Sequence, residues 1–165
     1  MHHERHTTDV VNHTTVLRDP ELAVVRISRV FDAPPEVVLR AHTDAALVER
    51  WGGADQDSFV LNRWDARTGG AWRITDRGKA RFGSFHEVGP ERIVRTLAWE
   101  ERPDDVTLEI FSLIDLKDGR TRLVVQSISQ TRELRDGWLD SGHGTRMAAQ
   151  HDRLAAVLDE ITTTV

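Results

Sequence analysis

The chain has neither cysteine nor tyrosine among its 165 residues. That removes thiolate nucleophiles, disulfides, thiolate zinc sites and any phenolic acid or base. Histidine and the carboxylates are left to carry chemistry. His151 is the informative one. It stands four residues after Met147 and three before Leu154, inside the apolar series Met147, Leu154, Leu158 and Ile161, with Ala148 and Ala155 beside it. Such intervals put these side chains on one helix face. An imidazole there is either packed and hydrogen-bonded in the core or turned towards a cavity. In a cavity it is the best candidate for a catalytic acid or base, because its ordinary pKa lies near neutrality. Glu87, Arg95 and Glu109 are the candidate buried polar partners. Arg95 shares a strand face with Leu97 and Trp99. Glu109 can point inward only if its neighbours Leu108 and Ile110 turn outward. A structural ion pair or a solvated row is the plainer reading of these charges.

Other motifs are silent. There is no Gly-x-Ser-x-Gly and no His-Glu-x-x-His. His2, His3, His6 and His13 lie in a polar N-terminal stretch without metal-ligand spacing, so no metal is expected. Gly69-Gly70 lacks a following helix and Lys-Ser/Thr, so it reads as a turn, and no cofactor is implied.

The elements that position these residues follow from period and punctuation. Residues 1–21 hold few large apolar side chains and are expected to form a flexible leader, with a single domain over residues 22–162. A first strand spans residues 22–31. Asp32-Ala33-Pro34-Pro35 stops it and starts a short helix over residues 36–41. Asp44 can cap a second short helix through Leu47, Val48 and Trp51, ended by Gly52-Gly53. The period then changes to two. Strands are expected at 58–65, from Trp72 onward, and at 80–88, 92–100, 106–116 and 121–129. Gly69-Gly70 and Asp118-Gly119 mark hairpin turns. Residues 130–140 read as a polar connection, and a long helix covers 141–162. The class is α+β. An antiparallel sheet and one amphipathic helix bury their apolar faces most simply when the sheet curls around the helix.

Composition narrows the partners. Net charge is −5 and basic residues are scattered, so no footprint for nucleic acid exists. No apolar run approaches the ~20 residues of a membrane span. The N-terminus lacks the apolar core of a signal peptide, so a cytoplasmic location is expected. An exposed edge strand offers a surface for homodimer pairing.

Several segments, in order, carry a family resemblance. They are Arg29-Val30-Phe31-Asp32-Ala33-Pro34, followed by Val38, Ala41, Thr43-Asp44 and Trp51; Asp65-Ala66-Arg67-Thr68-Gly69-Gly70-Ala71-Trp72; Gly83-Ser84-Phe85-His86-Glu87-Val88; Pro90-Glu91-Arg92-Ile93-Val94; Ala98-Trp99-Glu100; and Gly119-Arg120-Thr121-Arg122-Leu123. Together they resemble the family related to the activator of Hsp90 ATPase, within the START-like (Bet v 1-like, SRPBCC) superfamily, over about residues 22–161. The resemblance implies a helix-grip fold of six or seven antiparallel strands around the C-terminal helix, with two short helices after the first strand. It also implies a cavity between sheet and helix. Members of the superfamily bind lipids, hormones and polyketides, and some are cyclases or hydrolases. The Hsp90 role belongs to eukaryotic cochaperones. Where the family has a Gly-Trp pair and then a Leu on the last helix, this chain has Arg146-Met147 and His151. Both changes suggest a pocket specialised for its own ligand.

Three functions are therefore expected in descending order. The first is binding of a small apolar or aromatic molecule. Its candidate lining is Trp51, Trp72, Ile74, Phe85, Leu97, Trp99, Leu108, Ile110, Met147, His151 and Leu154. The second is a polyketide cyclase-like enzyme using His151. The third is a cochaperone-like interaction protein. Whether the chain is an enzyme is left open by its sequence.

Overall fold

Alternating strands dominate the architecture seen in a computed structural model, which describes residues 8–11, 13–53 and 56–163. The strands are β1 (Thr8–Val11), β2 (Thr14–Arg18), β3 (Val24–Phe31), β4 (Phe59–Trp64), β5 (Ala71–Asp76), β6 (Lys79–Val88), β7 (Arg92–Trp99), β8 (Arg102–Asp115) and β9 (Thr121–Ile128). They form one antiparallel sheet in the order β1-β2-β3-β9-β8-β7-β6-β5-β4. The helices are α1 (Pro35–Thr43), α2 (Ala45–Trp51), α3 (Arg132–Asp140) and α4 (His143–Thr163). This is the helix-grip arrangement, with nine strands where six or seven were expected.

The additional strands come from the N-terminal stretch. β2 pairs with β3 from Thr15 opposite Ser28 to Arg18 opposite Val25, and β1 folds back on β2. Val16 is buried in the main core and anchors this hairpin, so the sheet begins at Thr8 and not near residue 22. The leader expected over residues 1–21 thus supplies two strands of the sheet, Thr8–Val11 and Thr14–Arg18; residues 1–7 and 12 lie outside the described residues.

Local chemistry accounts for the helices. Pro35 occupies the first turn of α1, where its missing N–H is no loss. The Asp44 carboxylate accepts from the Ala46 N–H at 3.0 Å and caps α2. The indole N–H groups of Trp51 and Trp64 donate to the carbonyls of Ala41 and Thr43, at 2.9 and 2.8 Å, and lash α1 to α2 and to β4. Residues 130–140, expected to be a connection, contain α3. The Thr131 hydroxyl accepts from Leu134 N–H and starts it. Arg135, only 4% exposed, fixes it by donating to the carbonyls of Asp19, Leu22 and Val24.

α4 lies against β1, β2, β3 and the other helices. It buries Ala148, His151, Leu154, Val157 and Leu158. Facing it, β9 buries Leu123 and Val125, and β3 buries Ile27 and Phe31. No helix among the described residues is long and apolar enough to cross a membrane.

Candidate functional site

A cavity of about 350 Å³ remains where the β5–β8 part of the concave face meets α2, α3 and α4. Its apolar wall comes from Trp51, Leu97, Trp99, Phe111, Trp138 and Met147. Its polar wall carries Arg81 and Arg95, Asp76 and Glu109, and the histidines His42, His143 and His151. Arg146, Ser141 and Gln150 complete the lining.

Cross-strand register builds the charged floor. β7 turns Ile93, Arg95 and Leu97 inward. On β8 their antiparallel partners are Phe111, Glu109 and Thr107, and directly opposed residues share a face. Glu109 therefore points inward, with its side chain 6% exposed, and accepts from Arg95 Nε at 2.9 Å. The Arg95 guanidinium also lies 4.8 Å from the ring centroids of both Trp72 and Phe111. Gly83 permits that sandwich. A Cβ there would stand 1.8 Å from the Thr96 carbonyl oxygen and 2.7 Å from Trp72 Nε1, so only glycine lets the indole cross β6 to reach Arg95.

Arg81 sits opposite Trp99 on the neighbouring strand. Its guanidinium lies 5.3 Å from the Trp99 ring and 6.0 Å from that of Phe59. The nearest carboxylate oxygen of Asp76 is 3.8 Å away, too far for a hydrogen bond. Burial lowers its pKa from the ordinary arginine value.

All three histidines are neutral at physiological pH. Burial drives His42 and His143 down to about 4. It drives His151 to about 3, with help from the nearby His42 and Arg29. His42 Nδ1 is 2.8 Å from the Val38 carbonyl, which can only accept, so Nδ1 carries the proton and Nε2 is an acceptor. That Nε2, like Nδ1 of His151, is buried with no hydrogen-bond partner among the described residues. The His151 ring stands edge-on to Phe31 at 5.6 Å, and His143 lies edge-on to Trp138 at 4.7 Å. Among the described residues no group of three or more His, Asp or Glu side chains is placed to hold a metal ion.

The cavity thus gathers Trp51, Leu97, Trp99, Met147 and His151 from the expected lining, with Arg95 and Glu109. The other expected residues lie elsewhere. Trp72, Ile74, Phe85 and Leu154 belong to the solid core, at most 4% exposed. Leu108 and Ile110 are on the opposite face of the sheet, because β7 dictates which register of β8 turns inward. Glu87 pairs with Arg92 at 2.7 Å in a separate depression beside α1, past a register shift in β6. His42, Asp76, Arg81, Phe111, Trp138 and His143 were missed by sequence reasoning. Phe111 belonged to the poorer apolar set of β8, and the signal for Trp138 was the cap that Thr131 offers to α3. His42 and His143 carried no spacing signal.

The profile of the family described as "Activator of Hsp90 ATPase homolog 1-like protein" matches residues 32–159. The chain belongs to this family. No curated protein matches it by sequence. Among solved structures, a protein from Rhodobacter sphaeroides superposes with a TM-score of 0.75 at 23% identity, over 89% of this chain and 98% of that one. DynU16, from the dynemicin biosynthetic locus, gives 0.62 at 23% identity, over 83% of this chain and 47% of its own. An Hsp90 activator from Plasmodium falciparum gives 0.55 at 23% identity, over 67% and 77%. At such identities these structures report the fold of this Hsp90-activator-homologue family member and not its ligand.

Proposed function

We propose that this family member binds a small molecule with an apolar or aromatic body in the cavity between the sheet and α4. The observation that supports this most is the surviving hollow of about 350 Å³ beside His151. Its volume is at the lower end of the usual range for ligand sites, about 300–1,000 Å³. Trp51, Leu97, Trp99, Phe111 and Met147 supply contact area, and the histidines and arginines supply the few polar groups that fix orientation. A panel of small aromatic and aliphatic compounds, followed by thermal shift and by the fluorescence of Trp51, Trp99 and Trp138, tests it. Stabilisation with a saturable fluorescence change is expected; no response across the panel would reject the reading.

A cyclase-like activity centred on His151 is the second reading, supported by the position of the imidazole in the cavity wall. Its depressed pKa argues for a smaller role. An imidazole held at about 3 is a weak base, and it carries no proton to give at neutral pH. It serves better as a hydrogen-bonding group. Undiminished turnover by His151→Ala, on whatever substrate is found, would remove acid–base work from this residue.

A further inference from the structure

On the reading that the cavity takes a small apolar molecule, we infer that its ligand is a monocarboxylic acid, whose carboxylate is held by Arg81 while its apolar body lies against Trp99, Leu97, Trp51 and Met147. Satisfied arginines elsewhere in this protein share one arrangement. Arg73 makes two hydrogen bonds to Glu100, at 2.6 and 3.2 Å, and Arg120 makes two to Asp118, at 3.0 and 2.7 Å. Both are surface groups, 40% and 47% exposed. The Arg81 side chain is only 16% exposed, yet its one ion pair spans 3.8 Å and its guanidinium makes no hydrogen bond among the described residues. A guanidinium offers five donors in a planar fork that matches a carboxylate. Here the rings of Trp99 and Phe59 position the group without using any N–H. The fork is held in place and left unspent.

The other cations of the wall are already engaged. Arg95 donates to Glu109, and Arg146 donates to the Ser141 carbonyl at 2.6 Å. Against these three arginines stand two carboxylates, Asp76 and Glu109, and the three histidines are neutral. One added negative charge balances the wall. A second would face Asp76 and Glu109 at close quarters, which disfavours a phosphate dianion and selects a carboxylate.

The probes are matched pairs: 3-phenylpropionate against 3-phenylpropanol, and octanoate against octanol, with phenyl phosphate as the dianion. Affinities come from calorimetry or tryptophan fluorescence at neutral pH. In the unaltered protein each acid is expected to bind about tenfold or more tightly than its alcohol, and phenyl phosphate no better than the alcohols. In Arg81→Gln the acid and alcohol should bind within about twofold of each other, the acid losing more affinity than the alcohol. Equal binding of acid and alcohol by the unaltered protein, or an acid preference that survives Arg81→Gln, overturns the assignment. So does tighter binding of phenyl phosphate. A second readout needs no variant: the Arg81 Nε–Hε resonance should shift on titration with octanoate and stay still with octanol. Movement confined to Arg95 or Arg146 would assign the anion elsewhere. If neither acids nor alcohols bind, the cavity-binding reading fails with it; if alcohols bind and acids gain nothing, only the carboxylate inference falls.

Discussion

Arg95 is a cation kept inside a protein by one carboxylate and two aromatic rings. Such a pair adds little net stability over an apolar substitute, because desolvation offsets attraction, but removing one partner strands the other. Glu109→Ala is therefore expected to lower the unfolding free energy by about 3 kcal/mol in urea denaturation. Glu109→Gln, which keeps an acceptor oxygen for Arg95 Nε, should lose about half of that. A loss under 1 kcal/mol for the alanine variant would mean that Arg95, 19% exposed, re-solvates through the cavity. Gly83 is the matching steric requirement. Since a Cβ there meets the Thr96 carbonyl oxygen at 1.8 Å, Gly83→Ala should destabilise by about 2–4 kcal/mol. It should also move Trp72 away from Arg95, read as a change in near-ultraviolet circular dichroism.

At the scale of elements, caps and registers decide what reaches the cavity. α2 carries Trp51 into the wall and is started by the Asp44 carboxylate. Asp44→Ala should cost about 1 kcal/mol of stability by thermal or chemical unfolding and leave the sheet intact. That cap was readable in the sequence, as were α1, the long final helix and the seven strands from β3 to β9, because period and punctuation agreed there. β8 was not fully readable. Its two registers carry competing apolar sets, Val106, Leu108, Ile110 and Ile114 against Phe111 and Leu113, and the richer set suggested the inner face. The structure turns the poorer set inward, because β7 commits Arg95 to the concave side and Glu109 must follow it. Alternation within one strand fixes which residues share a face; only the neighbouring strand fixes which face is buried. α3 was hidden by Gly137 and by a run of charges, whose apolar positions are too few for a strong helical stripe. Missing α3 also meant missing Trp138, and with it one wall of the site.

At the scale of the whole molecule, the cavity makes stability depend on pH. His42 and His143 titrate at about 4 and His151 at about 3 in the folded chain, whereas unfolded histidine titrates near 6.5. Between those values the unfolded state binds more protons than the native state. Stability from these groups is therefore complete above about pH 6.5 and is lost as pH falls through the folded values. Each histidine contributes a slope of up to about 1.4 kcal/mol per pH unit in that window. Depressed carboxylates such as Asp19, held at about 2 chiefly by the Leu22 and Glu21 N–H groups, act only below about pH 4, so the two effects separate. Unfolding free energies measured from pH 8 to pH 4 should be flat above neutrality and decline steeply below it. His151→Leu should retain the flat region and remove about a third of the decline, since it takes away one of three proton-binding differences. An undiminished decline would mean that His151 contributes no proton-binding difference on unfolding, which a ring 1% exposed, with Nδ1 lacking a partner, does not allow unless that part of the cavity opens before the rest of the chain unfolds.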